Sequence, residues 1–247
     1  FIINKHENNK FEFNYKSIIF TGLIIGALAL SRQWGFLLFL PLIILFFSKQ
    51  LNIKYFKLWS LSAFVGSVFS SWFYINLYIK YGSFTAFNMK STGFSFSNQK
   101  LSFYIPSYEQ IEYLFTKPIR PNLNNQFFSI LYSDLWGDYW GYFTFTSRFL
   151  DIGRGQLTIG DYFGRVNIIS IFTTLLIIIF CCLTFKAFKS RFLIQYVNLA
   201  IICSLLGYLI FAISYPNSSG DTIKSTYIIQ IFHLAVFLAS IYFEKLE

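Results

Sequence analysis

Six stretches of the chain are apolar enough to sit in a bilayer, roughly residues 13 to 30, 35 to 48, 59 to 79, 166 to 184, 193 to 213 and 227 to 243. A hydrocarbon core calls for about 17 to 25 such residues per helix. Threading them through a membrane sorts the basic residues. With residues 49 to 58 in the cytoplasm, Lys49, Lys54 and Lys57 lie there, and alternation brings Lys186, Lys189 and Arg191 to the same side. Lys5, Lys10, Lys16 and Lys245 follow, while the short connections on the far side hold only Arg32 and Lys224. This is the bias of a multi-pass membrane protein. The pattern predicts an all-α fold, a polytopic bundle of about six transmembrane helices with one large extracytoplasmic loop. Its parts are residues 1 to 79 (spans with a short hairpin), 80 to 165 (the loop) and 166 to 247 (the remaining spans).

Composition agrees. With 55% hydrophobic, 22% aromatic and 13% charged residues in a chain of 247, there is too little polar surface for an ordinary soluble domain. The net charge of +9 does not imply nucleic acid, because the basic residues gather at cytoplasmic span ends, where anionic lipid attracts them. Cys181, Cys182 and Cys203 fall inside spans without metal-ligand spacing and read as small apolar packing residues. The start is polar, mixed in charge and lacks a signal-peptide pattern, which suggests a piece of a longer protein.

The first two stretches read as a tight hairpin, because Ser31, Arg32 and Gln33 interrupt the apolar run and Gly35 offers a turn. The second arm covers only about 20 Å of the ~30 Å core, so its tip is expected within the outer leaflet. An arginine there is costly unless it meets water or an anion, or snorkels to lipid phosphate. Gly22 and Gly26, four apart, suit a close helix contact.

Residues 80 to 165 are too long for an idle connector. Residues 108 to 115 suggest a short interfacial helix ended by Lys117 and Pro118. An aromatic and acidic cluster follows: Tyr132, Asp134, Trp136, Asp138, Tyr139, Trp140 and Tyr142. Rings beside carboxylates suit a carbohydrate, whose C–H faces stack while its hydroxyls donate. They equally suit an aromatic belt at headgroup level. The last outer loop carries Pro216, Asn217, Gly220, Asp221 and Lys224, and is either a solvated turn or part of a site. Alternation places Arg32, the acidic cluster and Lys224 on one face. His233, inside the last span, suits a hydrogen bond inside the bundle. No P-loop, dinucleotide fingerprint, zincin helix or nucleophile elbow occurs, nor the paired broken helices of transporters.

The stretch GLIIGALALSRQWGFLLFLP (22 to 41) resembles the glycine-rich, basic-tipped hairpin of GT-C fold membrane glycosyltransferases of the protein O-mannosyltransferase and aminoarabinose-transferase type. YSDLWGDYWGYF (132 to 143) and GDTIKSTY (220 to 227) also resemble segments of bacterial members. The resemblance implies a bacterial plasma-membrane enzyme that takes a sugar from a polyprenyl-phosphate donor and passes it to a glycan, lipid or protein on the outer face. No cofactor is implied, and the need for a divalent metal stays open. It makes Arg32 and Lys224 candidates for the donor phosphate. Asp134, Asp138 and Asp221 become candidates for sugar hydroxyls or the acceptor path, with Trp136, Trp140 and Tyr142 as stacking surfaces. The family's catalytic acid belongs to an outer loop that would precede this chain. Three alternatives stay open: a lipid-linked oligosaccharide flippase or other transporter, an O-antigen polymerase or ligase, and a passive scaffold.

Overall fold

The computed structural model describes residues 14–31, 37–48, 51–82, 84, 91–123, 125–138, 154–217 and 222–244. Their regular structure is helical throughout: α1 (Tyr15–Ser31), α2 (Leu40–Phe47), α3 (Ile53–Tyr81), α4 (Leu101–Tyr104), α5 (Tyr108–Thr116), α6 (Arg120–Leu123), α7 (Phe127–Trp136), α8 (Arg154–Phe188), α9 (Phe192–Ser214) and α10 (Ile229–Glu244). Two 3₁₀ turns, Phe96–Asn98 and Ser225–Tyr227, complete the described set. The chain divides into two compact units. One holds Phe1–Asn88 with Cys182–Ser204, the other Met89–Cys181 with Leu205–Glu247.

Among the described residues, three helices are long and apolar enough to cross a membrane: Ile53–Tyr81, Ile159–Phe188 and Phe192–Ser214. Tyr15–Leu30 and Ile229–Glu244 are apolar but shorter. In the described part of the arm expected at residues 35 to 48, the α-helix covers the eight residues of α2, about 12 Å of rise. That is less than half of a bilayer core. The third stretch starts at residue 53, not 59, because Asn52 caps it by accepting the Lys54 N–H at 2.9 Å. The fourth begins at residue 154, since no proline interrupts the polar segment ahead of residue 166. At 35 residues, α8 rises about 52 Å and exceeds the hydrocarbon thickness. Ile169 (74% exposed), Phe172 (69%) and Ile79 (76%) point away from the protein, an arrangement that lipid tolerates and water does not.

The first unit is built on close backbone approach. A Cβ on Gly22 would come within 2.7 Å of Val65, one on Gly26 within 2.6 Å of Phe69, and one on Gly66 within 2.7 Å of the Gly22 carbonyl. Leu58, Ser62, Gly66 and Ser70 form the buried stripe of α3 at a spacing of four. Ser62 and Ser70 send their hydroxyls back to Leu58 O (3.0 Å) and Gly66 O (2.9 Å), so neither is left unsatisfied. Tyr74 closes the seam by donating to Ala29 O at 2.6 Å. Below it, Ile18, Leu42, Leu45, Leu51, Tyr55, Leu58 and Phe192 make an apolar core, and Phe46 stacks on Phe56 at 4.0 Å.

In the second unit α8 supplies the frame. A Cβ on Gly164 would meet the Thr116 carbonyl at 2.6 Å, and one on Gly160 would meet Ile119 at 2.9 Å. These two small residues, again four apart, let the end of α5 lie against α8. The expected short helix is present as α5, fixed by a capping box in which Ser107 and Gln110 satisfy each other's backbone N–H. Cys181 Sγ donates to Ala235 O at 3.0 Å, and Cys203 is partly buried; Cys182 is exposed.

Candidate functional site

Helix α7 turns Phe127, Ile130 and Asp134 to one buried face, with Ser129 and Ser133 beside them. The spacing is helical, so an acid enters a face that is otherwise apolar and small. Asp134 has no exposed surface, and its Oδ2 accepts the Ser225 N–H at 2.5 Å. This bond joins the middle of the long loop to the turn before α10, residues 91 apart in sequence. Burial holds the Asp134 carboxyl well above its ordinary range. The Ser225 N–H pulls it back, the charge of Asp138 raises it again, and the charge of Lys224 lowers it.

The turn is held from below by Tyr208 on α9. Its hydroxyl accepts the Lys224 N–H at 2.6 Å and lies 2.8 Å from the Thr222 carbonyl, to which it donates. Tyr208 is fully buried, so both roles are performed away from water and the backbone around Lys224 is fixed. On the other flank Asn167 of α8 donates to Ser133 Oγ (3.0 Å) and to the Leu114 carbonyl (2.8 Å). Tyr132 hydroxyl contacts the Asn167 carbonyl (2.8 Å) and Ser170 Oγ (2.9 Å). α5, α7 and α8 are thereby locked around the acid.

Beside this clasp lies an apolar cavity of about 200 Å³. Its lining includes Leu135, Trp136, Ile178, Leu205 and Phe232, and also Ser225. Trp136 packs edge-on against Phe232 with ring centroids 5.4 Å apart. Asp134 Oδ1, Trp136 Nε1 and Thr222 Oγ1 are buried and have no hydrogen-bond partner among the described residues. Buried polar atoms are normally paired, so this grouping leaves capacity for water or a bound molecule.

Of the residues expected to form a site, Asp134, Asp138 and Lys224 come together. Asp138 is buried at the end of α7, and Lys224, partly exposed, opens the 3₁₀ turn that carries Ser225. Both carboxylates are inside the protein and not displayed on a surface. Trp136 faces hydrocarbon side chains. Arg32, Trp140, Tyr142 and Asp221 lie outside the described residues, as does the hairpin tip. The sequence reading missed Tyr208, Asn167, Ser133 and Ser225. Tyr208 and Asn167 sit within apolar runs, and a polar side chain inside such a run is the signal that could have found them. No group of three or more potential metal ligands occurs among the described residues.

These features define a class: a protein whose described residues are helical in their regular structure, with three helices among them fit to cross a membrane and a buried acid clasp in the part that was read as a loop. No family model matches the chain, and neither a curated protein nor a solved structure matches it.

Proposed function

We propose that the chain is the membrane part of a glycosyltransferase that moves a sugar from a polyprenyl-phosphate donor to an acceptor at the outer face of a bacterial plasma membrane. The observation that carries this reading is Ser225. It bonds the buried Asp134 and lines the apolar cavity, so a polar clasp and a lipid-compatible cavity share a wall. A polyprenyl phosphate is a hydrocarbon chain ending in an anion, and such a wall meets both ends.

The roles follow from charge. Lys224 holds the donor phosphate and neutralises the charge that develops as the glycosidic bond breaks. The resemblance makes Arg32 the leading candidate for the donor phosphate in its own right, and Lys224 the second. Asp134, Asp138 and Asp221 receive sugar hydroxyls or line the acceptor path. Trp136 packs the first isoprene units, while Trp140 and Tyr142 supply stacking faces. The reaction needs no nucleotide, since the donor is already in the membrane.

The test is transfer from a fluorescent undecaprenyl-phosphate sugar by the complete protein in nanodiscs. Arg32→Ala abolishes turnover and Lys224→Ala lowers it at least tenfold, with membrane insertion intact in both. Wild-type turnover in both variants removes the phosphate-binding roles, and an unconsumed donor with the wild-type protein ends the reading.

A further inference from the structure

A second cavity, of about 250 Å³, opens where α9 ends. It shares no lining residue with the apolar one. Asn98, Gln99, Lys100, Ser102, Asn125 and Asn217 line it, so four amides, a hydroxyl and one cation come together from three separate segments. Part of this set has a structural duty. Gln99 Nε2 donates to the Ala212 carbonyl at 2.8 Å, and Asn98 Nδ2 reaches Ile213 O at 3.3 Å. They cap carbonyls that the end of α9 leaves without helical partners.

That duty uses up donors and leaves acceptors. Asn98 commits its Nδ2 to Thr92 Oγ1, Gly93 O and Ile213 O. Gln99 Oε1 is met by Asn125 Nδ2 at 2.9 Å. Asn125 Oδ1 is then buried with no partner among the described residues, and Asn125 holds a left-handed backbone (φ 58°) to bring its amide there. Asparagine tolerates that conformation better than most residues, but it is uncommon outside glycine. An unpaired buried acceptor costs roughly what a lost hydrogen bond does, and a ligand donor removes the cost.

We propose that this cavity binds a neutral hydroxyl-rich group, a single sugar ring. With their donors committed, the side-chain amides offer chiefly acceptors, and sugar hydroxyls can donate to them. Among the described residues no carboxylate lines the cavity and Lys100 is its one cation, which argues against a strongly charged occupant. The volume lies below the roughly 300 to 1,000 Å³ of pockets for drug-sized ligands, which limits the guest to about one ring. The proposal stands apart from the transfer reaction, because a site that only holds sugar needs the same wall.

The experiment uses saturation-transfer NMR on the chain in nanodiscs, with the methyl glycosides of glucose, galactose, mannose and N-acetylglucosamine as probes. At least one is expected to show saturable transfer. Asn125→Gly keeps the left-handed backbone while removing the amide, and weakens that binding at least fivefold with the helical circular dichroism retained. Lys100→Ala and Asp134→Asn leave it within twofold. Absence of transfer from all four glycosides overturns the proposal, as does equal binding by the Asn125→Gly variant. Displacement of the bound glycoside by millimolar inorganic phosphate, with loss in Lys100→Ala, would make this an anion site and overturn it too.

Discussion

The α1–α3 seam and the Asp134 clasp solve opposite problems. In the seam, side chains are removed so that backbones touch: Gly22, Gly26 and Gly66 leave no room for a Cβ. In the clasp, side chains are added so that distant backbones are held, as Asp134 takes Ser225 N–H and Tyr208 takes Lys224 N–H. The first kind of contact gains from packing alone, which is what remains where lipid supplies no hydrophobic drive between helices. The second satisfies polar groups shielded from water. Steric contacts have a periodic signature and polar clasps do not.

The largest expected effect tests the seam. Gly66→Leu would press a side chain onto the Gly22 carbonyl and Gly26 N, and is expected to destabilise by about 3 kcal/mol, read as a lowered melting temperature in detergent. Because the contact belongs to the first unit, the Ser225 amide should keep its hydrogen-exchange protection. Loss of protection at both places would merge the two kinds of contact into one cooperative structure.

Next comes Asp134→Ala, which leaves the Ser225 N–H buried without an acceptor, at about 2 kcal/mol. Asp134→Asn keeps an acceptor and should cost much less. The pair also reports protonation. Burial raises the Asp134 pKa above its unfolded value, so its favourable contribution is complete below the unfolded pKa and is lost as pH rises through the folded one. Wild-type stability should therefore decline with pH across that interval, and the asparagine variant should be flat. A wild-type stability that climbs there instead would show the carboxylate favoured in the fold.

Tyr208→Phe removes one hydroxyl that both accepts and donates, and about 1.5 kcal/mol is expected. Its sharper readout is faster exchange of the Lys224 amide. Ser107→Ala, which breaks the α5 capping box, should cost about 1 kcal/mol and leave the Lys224 and Ser225 amides untouched.

Legibility in the sequence followed the same division. Spacing of four marked Gly22 and Gly26 as a helix contact, and hydropathy located α1, α3, α8, α9 and α10 within a few residues at most of their ends. The exceptions were local. Asn52 extends α3 backward by capping it, and α8 runs on through a polar segment because nothing there stops a helix. Asp134 and Lys224 were singled out by their chemistry, yet their meeting rests on Ser225, a residue with no pattern to announce it. Tyr208 looked like one more aromatic in a greasy span. Gly160 and Gly164 had the spacing of Gly22 and Gly26, but lay where a loop was expected.

The cap on α9 has a bearing on biosynthesis. Asn98 and Gln99 are made 115 and 113 residues before the carbonyls they serve. At about 5 to 20 residues per second on a ribosome, the two capping bonds can form only roughly 6 to 23 s after the amides are made. The terminus of α9 therefore emerges with the amides that cap it already made.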